Sequence, residues 1–152
     1  MDVTTITSTQ SPRGTVGGRA KHILIVDDDP EVCQVLAEYI GVFRHAHPYE
    51  VSVALDGTDA FMQILQRRPD LLLIDLRMPR MGGLALLREL RARGIRIPAI
   101  VITGSNDLGE ITKVLDAEVF AFAPKPVSLD YLEHLVALAL FAGKAQPALV
   151  PA

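Results

Sequence analysis

At 152 residues, with 49% hydrophobic side chains and a net charge of -3, the chain is long enough to bury the core of one domain. That composition excludes a disordered chain, its apolar runs are too short to span a membrane, and its dispersed Lys and Arg argue against a nucleic-acid surface. The one cysteine, Cys33, cannot form an internal disulfide, and with no secretory signal the expectation is a reducing cytoplasm.

Residues 1–20 are rich in Thr, Ser and Gly and read as a flexible tail. His22-Ile23-Leu24-Ile25-Val26 opens the folded part. Its aliphatic run is how a strand buried on both faces reads, and it ends in Asp27-Asp28-Asp29-Pro30. Asp29 is a good cap and Pro30 suits a first helical turn, so a helix carries Val32, Val35, Leu36, Tyr39 and Ile40 on one face. A loop around Arg44-His45-Ala46-His47 follows. Its two histidines lack other ligands nearby and read as solvent-exposed.

Tyr49 to Leu55 forms a second strand, Asp56-Gly57 turns the chain, and Ala60, Phe61, Ile64 and Leu65 mark a second helix. Leu71-Leu72-Leu73-Ile74 is the third strand and runs straight into Asp75. After Gly82-Gly83, the residues Leu84, Leu86, Leu87 and Leu90 give a third helix closed by Gly94. Ala99 to Thr103 is the fourth strand, and Ile111, Val114 and Leu115 mark a short helix. Val119 to Ala123 is the fifth strand, leaving Pro124-Lys125-Pro126. Ser128 caps a last helix through about Phe141, and residues 143–152 read as a second flexible tail. Strands alternating with helices in this way predict an α/β, flavodoxin-like, doubly wound fold. Its five-stranded parallel sheet has order 2-1-3-4-5 with five helices, over residues 21–142.

Open α/β sheets bind ligands at the carboxyl ends of their strands. Four neighbouring strands deliver Asp27 and Asp28, Asp75, Thr103 and Lys125 to that edge. Carboxylates held together repel, which points to a cation between them. Oxygen donors without Cys or His suit a hard divalent ion, Mg2+ above all, with Mn2+ able to substitute. A Thr hydroxyl and a Lys ammonium opposite that ion suit a tetrahedral dianion, and Asp75 can then act as the nucleophile of an aspartyl phosphate.

The motifs Ile23-Leu24-Ile25-Val26-Asp27-Asp28-Asp29-Pro30, Ile74-Asp75-Leu76-Arg77-Met78-Pro79-Arg80-Met81-Gly82-Gly83, Val101-Ile102-Thr103 and Lys125-Pro126 resemble the CheY-like receiver domain of bacterial two-component response regulators. The resemblance covers roughly residues 21–142. It implies that Asp75 is the phosphoacceptor and Asp28 a direct metal ligand, with Asp27 acting through water and Arg77 through its backbone carbonyl. Thr103 would hydrogen-bond the phosphoryl oxygens, Lys125 would pair with their charge, and Phe122 would be the aromatic switch partner of Thr103. A cis peptide is expected at Lys125-Pro126.

The chain departs from the family pattern at Gly104, at Glu118-Val119 where Gly-Ala is common, at the longer loop after the first helix, and at Pro124. The expected partners are a histidine kinase or histidine phosphotransfer protein and a downstream protein target, with no direct nucleic acid and no membrane. The last helix carries more apolar residues than one core-facing stripe needs. A homodimer through the fourth helix, fifth strand and last helix, or wider burial within the chain, would account for them. With only tails flanking the domain, the expectation is a stand-alone cytoplasmic receiver with no enzymatic output beyond self-phosphorylation and autodephosphorylation. The alternatives are a pseudo-receiver binding module and a haloacid-dehalogenase-like phosphohydrolase using Asp27 and Asp29.

Overall fold

The computed structural model describes residues 4–8, 19–104, 106 and 108–141. The strands are β1 (Thr4–Ser8), β2 (Lys21–Val26), β3 (Tyr49–Ala54), β4 (Leu71–Ile74), β5 (Ala99–Thr103) and β6 (Ala121–Pro124). The helices are α1 (Pro30–Gly41), α2 (Gly57–Gln66), α3 (Gly83–Ala92), α4 (Leu108–Asp116) and α5 (Leu129–Phe141). The sheet order is β1-β3-β2-β4-β5-β6. From β3 to β6 this is the expected 2-1-3-4-5 order, with every neighbouring pair parallel.

The sheet buries both faces by alternation. Ile23, Ile25, Leu71, Leu73, Ile100 and Ile102 face one layer with Leu36 and Ile40 of α1 and Leu132, Leu135 and Val136 of α5. Leu24, Val26, Leu72, Ile74 and Val101 face the other, with Ile64 of α2, Leu86 and Leu90 of α3 and Val114 of α4. Burying each such aliphatic side chain contributes about 1.5–3 kcal/mol, so the unbroken apolar runs hold the central strands rigid.

Local signals start the helices as expected. Asp29 caps α1 by accepting from the Glu31 N–H at 2.9 Å, with Pro30 at the first helical position. Ser128 Oγ accepts from the Tyr131 N–H at 3.2 Å at the start of α5. Gly94, at φ +70°, ends α3 in the left-handed region that glycine adopts without strain.

Two expectations need correction. Residues 1–20 are not simply a tail, because Thr4–Ser8 pairs antiparallel with β3, placing Ile6 opposite Val51. The segment's polarity hid its β-branched Thr and Ile residues, which favour strands once a free edge offers hydrogen bonds. The rest of that segment, residues 1–3 and 9–18, lies outside the described residues, as does the second expected tail, residues 143–152. His45 and His47 are not solvent-exposed loop residues either. His47 stacks on Phe141 with ring centroids 4.3 Å apart, and His45 hydrogen-bonds the Tyr49 hydroxyl. Part of the apolar surplus of α5 is thus spent within the chain, where Leu129, Tyr131, Ala139 and Leu140 pack against the core. Burial lowers the pKa of His45, partly offset by the charge of Glu133 and a hydrogen bond to its backbone.

Candidate functional site

The sheet ladder sets the two central carboxylates side by side. The Asp27 N–H donates to Ala54 O at 3.1 Å, carrying the β2–β3 pairing one residue further, and the Asp75 N–H donates to Val26 O at 2.9 Å, doing the same for β4 and β2. Both side chains are buried, Asp27 at 2% and Asp75 at 6% exposure, whereas Asp28 is exposed. Asp27 is held from two sides. Its Oδ1 accepts from the Asp29 N–H at 2.9 Å, and its Oδ2 accepts from Lys125 Nζ at 2.7 Å.

Lys125 is delivered by the end of β6, where its N–H donates to Thr103 O at 2.9 Å and its peptide bond to Pro126 is cis, as expected. Its ammonium also lies 3.6 Å from Asp75 Oδ1. The Thr103 side chain is buried and hydrogen-bonds the Asp75 carboxylate. Phe122 is buried at 5% exposure in the core layer that contains Ile74 and Val101, so its ring points inward.

The electrostatics follow from this packing. Burial pushes the Asp75 carboxyl above its ordinary 3.8, and the Asp27 charge pushes the same way. The Lys125 charge and hydrogen bonds from Thr103 and the Leu76 N–H pull it back only in part. Burial alone would lower Lys125, but the hydrogen bond and charge of Asp27, then those of Asp75, hold it above 10.5. Cys33 plays no part in this chemistry. Burial, reinforced by Asp27 and Asp29, pushes its thiol up to about 12, so it stays protonated and unreactive.

Carboxylate oxygens of Asp27, Asp28 and Asp75 lie within 4.8 Å of one another. One ammonium does not balance three carboxylates, and every donor is a hard oxygen. The residues therefore fit a hard metal cation, and the set could hold one. Asp28 lines a cleft of about 580 Å³ with Leu76, Arg77, Met78 and Glu110, which opens this cluster to solvent.

The loop after Asp75 is fastened at both ends. Gly83 donates its N–H to Leu76 O at 3.0 Å, and a Cβ there would sit 2.3 Å from Asp75 O, so only glycine lets α3 begin this close to the acidic edge. At its middle, Arg80 pairs with the buried carboxylate of Asp56, and Met81 O accepts from the Gly57 N–H at 2.9 Å. Sequence reasoning missed these anchors. Asp56-Gly57 signalled a turn, but nothing local announced that Arg80 would reach it from 24 positions away. A longer contact joins the Arg77 guanidinium to Glu110 of α4 at 3.9 Å. The edge therefore gathers Asp27, Asp28, Asp75, Thr103 and Lys125, with Arg77 on its rim and Phe122 behind the sheet. Asp29, the second carboxylate of the phosphohydrolase alternative, is spent on capping α1.

Comparison with known proteins agrees with this geometry. The sequence matches the response regulator receiver domain family over residues 23–137. It is 37% identical over 111 residues to the response regulator MprA of Mycobacterium tuberculosis, covering 73% of this chain and 46% of that protein. The chain thus spans about half the length of the curated relatives it matches. Among solved structures, a CheY-like response regulator receiver domain protein from Methanospirillum hungatei superposes with a TM-score of 0.70 at 28% identity. That match covers 80% of this chain and 94% of the other. The receiver domain of a signal transduction histidine kinase from Syntrophus aciditrophicus superposes at 0.73 with 29% identity, covering 88% and 99%.

Proposed function

The chain belongs to the response regulator receiver domain family, and from that premise we propose that Asp75 accepts a phosphoryl group from a histidine kinase or histidine phosphotransfer protein. The observation that carries this reading is the convergence of two further carboxylates, one ammonium and one hydroxyl on Asp75. In the transfer, an Asp75 carboxylate oxygen forms a bond to phosphorus as the donor's phosphorus–nitrogen bond breaks. The imidazole leaves with that electron pair.

Asp27, Asp28, Asp75 and the Arg77 carbonyl would hold Mg2+, with Mn2+ able to replace it. When bound, the ion supplies charge neutralisation for the transferring phosphoryl group. Lys125, oriented by Asp27, sets its ammonium against the same oxygens, and Thr103 donates its hydroxyl to them. Attack of water on the phosphorus returns free Asp75 and phosphate, so the mark is self-limiting. The added charge and acceptors bias the Thr103–Phe122 pair, and with it the surface of α4, β6 and α5. That surface would engage a downstream protein or a second copy of the chain. Sedimentation as a monomer with and without phosphodonor overturns the second-copy reading. The cytoplasm is the compartment that suits such an exchange.

The decisive experiment incubates the protein with a small acyl phosphate and Mg2+ and reads intact mass. Wild type gains one phosphoryl group and Asp75→Asn gains none. Equal labelling of the two overturns the assignment.

A further inference from the structure

The groove between α3 and α4 does not end at the acidic edge. Next to the cleft that opens at Asp28, a second hollow of about 300 Å³ runs between Gly82, Leu84 and Ala85 on one side and Gly109, Glu110 and Lys113 on the other. The two share Leu76 and Glu110. Lys113 also lines a third hollow, of about 550 Å³, between the far ends of the same helices. Sharing these residues in turn, the three hollows follow one another along α4 as an open trough.

The far end of that trough is basic on a chain whose net charge is -3. Among the described residues, its walls carry Arg88, Arg91, Arg96 and Lys113 against Asp116 and Glu118. Glu118 is already committed. Its carboxylate lies 3.4 Å from Arg91 and 3.7 Å from Arg96, and its backbone oxygen accepts from Arg91 at 2.7 Å. Arg93 points elsewhere, to Glu89 at 2.9 Å and over the Phe61 ring at 4.9 Å. Among the described residues, Arg88 and Lys113 have no acidic partner, and both line this hollow.

We propose that this trough is a docking site for an acidic segment of a partner protein, whose carboxylates Arg88 and Lys113 bind. The inference rests on the trough's charge and shape and is independent of phosphoryl transfer at Asp75. A guanidinium on one helix and an ammonium on the next suit successive carboxylates of an extended or helical peptide. A nucleic acid suits the walls less well. Among the described residues, no aromatic side chain lines the basic end to stack a base. A segment lying in the trough passes Leu76 and Glu110, so a partner held there also reaches the acidic edge.

The test uses the full chain, unphosphorylated, with a fluorescein-labelled Glu-rich peptide, a Lys-rich peptide of equal length and a single-stranded oligonucleotide. Anisotropy should show saturable binding of the Glu-rich peptide alone, weakening as salt rises. Amide shifts should cluster on the facing ends of α3 and α4. The double variant Arg88→Glu/Lys113→Glu should weaken binding by at least about tenfold, while Arg93→Gln stays close to wild type. If the reversals perturb folding, Arg88→Gln and Lys113→Gln keep the side chains' bulk and should each weaken it. Absent binding, binding that survives these changes, or tighter oligonucleotide binding through the same residues overturns the proposal.

Discussion

Glu50, Arg67 and Asp70 lie at the amino edge of the sheet, and each finds a partner there. Arg67 grips both oxygens of Glu50, through Nη1 and at 2.6 Å through Nη2, while Asp70 accepts from the His22 N–H at 2.8 Å and lies 3.7 Å from Arg19. At the carboxyl edge of the same sheet, three carboxylates crowd one ammonium, and burial pushes the central one out of its ordinary range. Both edges are built from strand ends and loops of similar length. Among the described residues the charges of the amino edge are paired, whereas the carboxyl edge keeps more carboxylates than its one ammonium balances. Stored imbalance of this kind marks chemistry, because nothing in the packing demands it.

The largest expected effect removes that imbalance. A divalent cation at a hundred times its Kd should raise unfolding free energy by about 2.7 kcal/mol, because it binds the folded edge and not the unfolded chain. Urea titrations with Mg2+ or with a chelator measure it. Asp28→Asn, at an exposed position, should lose most of the gain without loss of fold. An unchanged midpoint would place the two edges on the same footing and remove the argument for a metal.

Lys125→Ala sharpens the contrast from the other side. It leaves the buried Asp27 and Asp75 without their shared cation, and breaking a buried pair of this kind costs several kcal/mol. The lysine side chain is 26% exposed, so solvent screening reduces this to about 2 kcal/mol in metal-free buffer. Mg2+ should restore part of the loss. Phosphorylation should fall sharply even where the fold is intact, which intact mass would show.

Much of this was legible in the residues, for local reasons. Leu71–Ile74 has no polar position to break a fully buried strand, and Asp29 and Ser128 announce helix starts within a turn of themselves. The site followed from topology, since a parallel sheet in the expected order must bring Asp27, Asp75, Thr103 and Lys125 to one edge. What stayed hidden depends on partners far along the chain. Thr4–Ser8 becomes a strand only because β3 offers a free edge, and His47 is covered only because α5 ends at Phe141. Arg88 and Lys113 look dispersed in sequence and become one basic wall when α3 and α4 align. The turn before β6 is a middle case. Glu118 stands where the family has glycine, and it takes φ +59°, a backbone glycine would enter without strain.

A smaller effect probes whether the amino edge is as complete as its ion pairs suggest. His22 Nε2 lies 2.8 Å from Ser52 Oγ, but its buried Nδ1 has no hydrogen-bond partner among the described residues. Burial lowers its pKa below 6.5, Arg67 pushes the same way, and Glu50 and Asp70 oppose only in part. The folded state therefore binds fewer protons than the unfolded chain as pH falls below 6.5. Stability from His22 is intact above that value and drains away as pH falls toward the lowered one. His22→Gln should flatten that slope in urea titrations across the window. A slope that survives the substitution assigns it to other groups.

The smallest effect belongs to the best-looking ion pair. Arg67 and Glu50 meet in bidentate geometry, yet the arginine side chain is 55% exposed, and water screens most of what the geometry offers. Glu50 is held below the usual carboxylate range first by the hydrogen bond from Arg67, and Arg67 is raised first by the same bond. Exposure discounts both, and Arg67→Ala should cost only about 0.5 kcal/mol. It should also ease the depression of the His22 pKa, since the Arg67 charge is one of its causes, and so shrink the acid-side loss below pH 6.5. Urea midpoints at neutral and mildly acidic pH, with a double-mutant cycle against Glu50→Gln, separate the two terms. A cost as large as that of Lys125→Ala would mean that burial and imbalance do not distinguish the two edges.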